Sequence, residues 1–245
     1  VYKRQVSYRV FEGVHSVPHN GAMLPFLLLS TRAEDDLAHQ EHEAVARHMG
    51  VPPERVVQWR LEAGPMPGLD LGRWAGVIIG GSPFTVSDPP GSKDPVQRRV
   101  EADLTAVLDA VVAADFPTLG LCYGMGVLGV HQQATVDTTH GEQLAAPVVT
   151  LTEAGADDPL LEGVPRQFRA WVGHKEAVAT PSSGMTVLAG SAACPVQLVR
   201  VGRHVRATQF HPELDAEGLA ARVAVYAHHG YFAPEEAADI VAAAR

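Results

Sequence analysis

Unbroken apolar runs alternate with stretches of helical spacing through the first half of the chain. Residues 25–30 (PFLLLS) show no polar alternation, the pattern of a strand covered on both faces. Residues 33–50 follow with helical spacing, acids in the first turn and a closing glycine, so they are expected to form a helix. Residues 55–61 (RVVQWRL) and 75–81 (AGVIIGG) read as further strands. Residues 96–115 form an amphipathic helix whose apolar stripe is Leu104, Val107, Leu108, Val111 and Val112. A strand at 117–122 (PTLGLC) closes this half.

The second half changes character. Segments 146–152, 168–173, 185–191, 195–202 and 203–211 are shorter and more alternating, as antiparallel strands are. A helix is expected at 214–230 and a helical tail at 231–245, opened by Pro234 and Glu235. Together these elements predict an α/β fold: a three-layer, open, mostly parallel sheet with helices on both faces and a partly antiparallel extension. Residues 23–230 are expected to form one domain. The opening VYKRQ back-translates to adaptor-like DNA, so residues 1–22 are expected to be a non-native extension, with the native start at Met23. The apolar run after it is short and passes at once into 32-RAEDD-36, which suits a buried strand and not a secretory signal.

Composition narrows the partners. Nineteen basic against 28 acidic residues give a net charge of −9, with no dense basic block. Nucleic acid and anionic membranes are therefore not expected as partners, and no segment approaches the length of a membrane span. Two cysteines in 245 residues make no disulfide framework and point to a reducing cytoplasm.

One of those cysteines carries the candidate chemistry. In 120-GLCYG-124, Cys122 stands between glycines at a strand-to-helix junction, the spacing of a nucleophile elbow. A turn this tight crowds its neighbours, so glycines are needed on either side, while the starting helix stabilises a thiolate and an oxyanion. The same glycines, Gly124, Gly126 and Gly129, also spell G-x-G-x-x-G, a dinucleotide fingerprint. That reading lacks the acid expected about 20 residues on, and it leaves the cysteine unexplained. Cys194, in 191-SAACPV-196, has no elbow and reads as a small buried hydrophobe.

A base is present in 208-TQFHPEL-214. His211 and Glu213 stand two apart at a strand end, where both side chains point to the same side and the carboxylate can orient the imidazole. With Cys122 they complete an acyl-transfer triad.

The elbow, the pair in 80-GGSP-83 and TQFHPE together resemble the triad class I glutamine amidotransferases, above all the amidotransferase portion of GMP synthetase. The resemblance implies a flavodoxin-like fold and hydrolysis of glutamine to glutamate and ammonia through a γ-glutamyl thioester on Cys122. It also implies an oxyanion hole from the backbone of Gly81 and Tyr123, and a substrate pocket drawing on Gly80, Ser82, Gly126 and His174. No organic cofactor or metal is expected. The family usually carries glutamine where this chain has Gly126, so a roomier pocket for γ-glutamyl peptides or amides is an alternative. A module that kept the fold but lost turnover is another. The sequence holds no S-G-G-x-D-S loop and no Walker A motif, so an ammonia-accepting synthetase is expected on a separate polypeptide. Elsewhere, 39-HQEH-42 with His48 departs from the H-E-x-x-H spacing of metal-binding helices and reads as a solvated face. His228 and His229 read as a helix-end cap.

Overall fold

The structure, a computed structural model, describes residues 24–215, 218–220 and 223. The expected extension at 1–22 and the tail at 231–245 lie outside the described residues, as does most of the helix expected at 214–230 with His228 and His229.

Strands β1 (Phe26–Ser30), β2 (Val56–Arg60), β3 (Gly76–Ile79) and β4 (Thr118–Leu121) alternate with helices α1 (Asp35–Met49) and α2 (Pro95–Ala113). Helix α3 (Tyr123–His131) starts directly after Cys122. Then come β5 (Thr135–Asp137), β6 (Glu142–Ala145), β7 (Val148–Leu151), the short α4 (Glu153–Ala156), β8 (Gln167–Arg169), β9 (Val172–His174), β10 (Ala177–Thr180), β11 (Met185–Gly190), β12 (Leu198–Val201) and β13 (Val205–Thr208). Nine strands form one sheet in the order β2-β1-β3-β4-β13-β12-β11-β7-β8, and β5 with β10 and β6 with β9 form two small ribbons.

The strands from β2 to β13 pair in parallel. From β13 outward to β8 every pairing is antiparallel, so the antiparallel extension is as wide as the parallel half. The expected strand at 168–173 is two strands, β8 and β9, which belong to different sheets.

Strand β1 shows why the parallel half carries no alternation. Leu27 and Leu29 face a core built with Val100, Leu104, Val107, Leu108 and Val111 of α2 and with α3, while Phe26 and Leu28 face Val45, Ala46 and Met49 of α1. Both faces of the strand are thus apolar because both are covered. Each fully buried aliphatic side chain in these layers contributes about 1.5–3 kcal/mol. A third core, including Val149, Leu188, Leu198 and Phe210, underlies the antiparallel extension.

Two devices hold the extension to the rest. Arg200 and Arg206 stand directly opposite each other across β12 and β13, and the fully buried carboxylate of Asp158 receives both guanidinium groups. At the turn between these strands, Asp115 beyond the end of α2 accepts the backbone N–H groups of Arg203 and His204, each at 2.9 Å. Burial disfavours ionisation of Asp115, but those donated hydrogen bonds outweigh it and hold the carboxyl below its ordinary value.

Candidate active site

Three adjacent parallel strands deliver three loops to one edge of the sheet. Gly80 and Gly81 follow β3, Cys122 follows β4, and His211 follows β13 by a short arm. Ile79 is in register with Gly120, and Leu121 with Thr208. Carboxyl ends of strands in such sheets are where ligands bind.

Cys122 has φ 52° and ψ −93°. This positive φ strains a residue with a side chain, and such strain persists only where the surroundings over-determine it. Here its N–H donates to Thr208 O at 2.7 Å, and its carbonyl receives the N–H groups of Met125 and Gly126. The glycines of the elbow are required by close approach. A Cβ on Gly120 would stand 2.8 Å from the backbone of Gly124, and one on Gly124 would stand 2.9 Å from Ile79 O. Cys122 itself stays partly exposed, and Gln209 Nε2 lies 3.8 Å from its sulfur.

The backbone N–H of His211 donates to Trp171 O at 2.8 Å, anchoring it to the connection between β8 and β9. Its Nδ1 donates to Glu213 Oε1 at 2.8 Å within a buried setting, leaving Nε2 as the nitrogen able to exchange protons with a substrate or thiol. Its Cε1 packs on the other expected loop: a Cβ on Gly81 would stand 3.1 Å away.

Gly80 and Gly81 also sit on a buried ion pair that the sequence did not announce. Arg32 Nε donates to Glu41 Oε1 at 3.2 Å, and Ser30 Oγ to Glu41 Oε2 at 2.7 Å. A Cβ on Gly80 would stand 2.9 Å from Glu41 Oε2, and one on Gly81 the same distance from Arg32 Nη2. Ser82 closes this loop by accepting the N–H of Phe84 on its hydroxyl.

Tyr123 contributes the first N–H of α3, a group with no partner inside its own helix. Its ring is buried edge-on against Phe84. Burial pushes the phenol's pKa up, and the nearby carboxylates of Glu101 and Glu176 add to that.

The sequence leads one to expect open room at Gly126. The structure fills that room from the protein: a Cβ there would stand 3.0 Å from Val86 Cγ1 and 3.1 Å from Glu176 Oε1. Glu176 is a buried carboxylate that receives the N–H groups of Val86 and Ser87, both at 2.7 Å. Burial raises its pKa, partly offset by those hydrogen bonds. Gly129 is likewise packed, with Val136 and Val178 each 2.9 Å from a Cβ position. The face of α3 that a dinucleotide would approach through Gly124, Gly126 and Gly129 is thus covered by Ile79, Val86, Glu176, Val136 and Val178.

His174 lies behind this wall and not on its surface. Its Nδ1 is 2.9 Å from Glu176 O and its Nε2 is 3.0 Å from Glu142 Oε2. Cys194 is fully buried, and burial pushes its thiol up to about 11. On α1, His42 Nε2 contacts Val56 O and His48 Nδ1 contacts Ala44 O, so these rings tie down backbone.

Sequence reasoning missed Glu176, Gln209 and the Arg32–Glu41 pair. Gln209 carried a signal, since it stands two residues before His211 on an extended segment. Arg32 and Glu41 carried none, because a charge just before a helix and another along it look solvated.

Comparison with known proteins now places the chain. The family model for class-I glutamine amidotransferases matches residues 70–223. The chain belongs to that family. Among curated relatives, the glutamine-hydrolyzing GMP synthase of Thermomicrobium roseum is 30% identical over 139 residues, covering 57% of this chain and 23% of that protein. A glutamine-hydrolyzing GMP synthase subunit from Methanocaldococcus jannaschii is 30% identical over 108 residues, covering 44% of this chain and 56% of that protein. This chain thus matches about a quarter of the length of the first and about half of the second. A solved glutamine amidotransferase from Thermotoga maritima shares the fold with a TM-score of 0.72, at 17% identity over 91% of this chain and 90% of that one. Among the described residues, no helix is long and apolar enough to cross a membrane.

Proposed function

We propose that this class-I amidotransferase hydrolyses glutamine with Cys122 as nucleophile, His211 as base and acid, and Glu213 as the group that orients His211. The observation that carries the reading is convergence: a strained, partly exposed cysteine, a histidine tied to a buried carboxylate, and a glycine loop packed on that histidine leave three adjacent strands at one edge.

The chemistry follows. His211 Nε2 takes the thiol proton, and Cys122 Sγ attacks the side-chain carboxamide carbon. The carbonyl oxygen becomes an oxyanion held by the backbone N–H groups of Gly81 and Tyr123. The tetrahedral intermediate collapses as the C–N bond breaks, and His211 returns its proton to the departing ammonia. Water, deprotonated by the same imidazole, then cleaves the γ-glutamyl thioester to glutamate, and the imidazole returns that proton to the departing Cys122 sulfur. One preorganised oxyanion donor of this kind is worth about 10²–10³ in rate.

The similarity to a GMP synthase subunit from Methanocaldococcus jannaschii supports transfer of the ammonia to a separate synthetase polypeptide. The γ-glutamyl peptidase alternative rested on free space at Gly126, which Val86 and Glu176 occupy.

The deciding experiment follows ammonia and glutamate release from glutamine and from a γ-glutamyl peptide, with Cys122→Ala alongside. Glutamine turnover lost in the variant is the expected result. Turnover that survives the substitution would remove the thioester mechanism, and turnover of the peptide alone would move the assignment to a peptidase. A partner-dependent enzyme is covered by intact-mass detection of a glutamine-mimicking electrophile on Cys122.

A further inference from the structure

Behind the active-site wall, three potential donors from separate segments come together. A carboxylate oxygen of Glu142, a ring nitrogen of His174 and the sulfur of Cys194 all lie within 4.8 Å of one another. Glu142 and His174 face each other across the β6–β9 ribbon, and Cys194 arrives from the loop between β11 and β12.

Two further observations point to a cation. The first is the hydrogen bonding of His174. Both its nitrogens face oxygens that only accept: the Glu176 carbonyl at 2.9 Å and the Glu142 carboxylate at 3.0 Å. One N–H cannot serve both, so the Nε2–carboxylate contact needs either a further proton between the two groups or a cation in its place. The second is Gln197, whose Nε2 donates to Glu142 Oε2 at 2.7 Å and to Ser191 Oγ at 3.1 Å while its Oε1 is buried without a hydrogen-bond partner among the described residues. Turning that amide over presents an oxygen to the same point, which is unfavourable beside a carboxylate unless a positive ion lies between them.

The same residues do not make a second catalytic triad. His174 already spends both nitrogens, so neither is left to activate Cys194, and the thiol has no exposed surface.

We propose that Glu142, His174 and Cys194 bind one divalent ion of zinc type, with Gln197 Oε1 or water completing a tetrahedron. The donor set fits: sulfur, imidazole nitrogen and carboxylate oxygen are the ligands such an ion selects. Charge balances as well, because a thiolate and a carboxylate neutralise a dication in a buried place. Binding releases two protons, one from the thiol and one from the contact between His174 and Glu142. Donors in a tetrahedral site stand roughly 3.3–3.8 Å apart, so the side chains need only small adjustments. The ion's role is structural. His174 Nδ1 holds the carbonyl of Glu176, and Glu176 in turn holds Val86 and Ser87 over Gly126, so the metal braces that wall from behind. The site stands whether or not the chain hydrolyses glutamine.

The test loads metal-stripped protein with Zn²⁺ and, separately, Co²⁺. The expected result is about one equivalent of zinc per chain and a near-ultraviolet thiolate-to-cobalt band. That band persists in Cys122→Ser and disappears in Cys194→Ser. If Cys194→Ser fails to fold, X-ray absorption of the zinc-loaded wild type decides. One sulfur near about 2.3 Å with nitrogen and oxygen near about 2.0 Å is expected. Failure to retain stoichiometric zinc, a shell without sulfur, or a cobalt band that follows Cys122 would each overturn the proposal, the first leaving a buried, proton-bridged histidine–glutamate pair in its place.

Discussion

His211 packs against Gly81 so closely that a methyl group on that glycine would stand 3.1 Å from Cε1. Neither glycine of the Gly80–Gly81 pair has a positive φ, so the requirement is closeness and not backbone freedom. Gly81→Ala is expected to push the proposed oxyanion donor away and to tilt His211. Glutamine turnover should fall about 10²-fold or more, while the protein stays folded. Comparing kcat/KM for ammonia release with a thermal melt checks this. Glu41→Gln should lower turnover less, by loosening Arg32 beneath the same loop.

Restoring the family's usual residue at the elbow should not improve the enzyme. Gly126→Gln introduces a Cβ at 3.0 Å from Val86 and 3.1 Å from Glu176, so Glu176 must release the amides of Val86 and Ser87. A loss of about 1–3 kcal/mol is expected from overpacking, with weaker glutamine hydrolysis. Denaturant unfolding and steady-state kinetics measure both. A gain in glutamine affinity at unchanged stability would show that the wall is not where the structure puts it.

Asp158 neutralises two arginines that the sheet places opposite each other. Asp158→Ala leaves Arg200 and Arg206 repelling across β12 and β13, so a loss of about 3–5 kcal/mol is expected. Because β13 carries the arm to His211, activity should fall at temperatures where the variant begins to unfold. Urea denaturation followed by fluorescence provides the number.

Asp115 makes stability depend on acid. Its carboxyl is held below the ordinary value of 3.8 by the N–H groups of His204 and Arg203, which overcome its burial. A lowered folded-state value means the stabilisation is present above 3.8 and is lost as pH falls through the folded-state value. Asp115→Asn should therefore melt below wild type near neutrality, with the gap closing in strong acid. Paired melting curves across that range check the sign.

Much of this was legible along the chain because periodicity and crowding are local. Two apolar faces on β1, the stripe on α2 and the terminal Gly50 of α1 mark layers and boundaries without reference to partners. The tight turn at Cys122 was equally legible, since a side chain there needs glycines within two positions of itself, and the contact of His211 with Glu213 needs only one intervening residue. Strands β5, β6 and β10 escaped notice because they are three or four residues long, and their pairing is with each other or with β9, far away in sequence.

The sequence by itself determined the alternation of strand and helix, the tight turn at Cys122 and the pairing of His211 with Glu213, because each depends on neighbours in the chain. Only the tertiary structure decided that β13 lies beside β4, bringing Cys122 and His211 to one edge, and that Glu176 fills the space at Gly126. It alone showed Arg32 and Glu41 buried under Gly80 and Gly81, and Glu142, His174 and Cys194 gathered behind the wall. Those outcomes are set by sheet order and by burial, and a charged or sulfur-bearing side chain carries no local mark of which distant residue will exclude water from it.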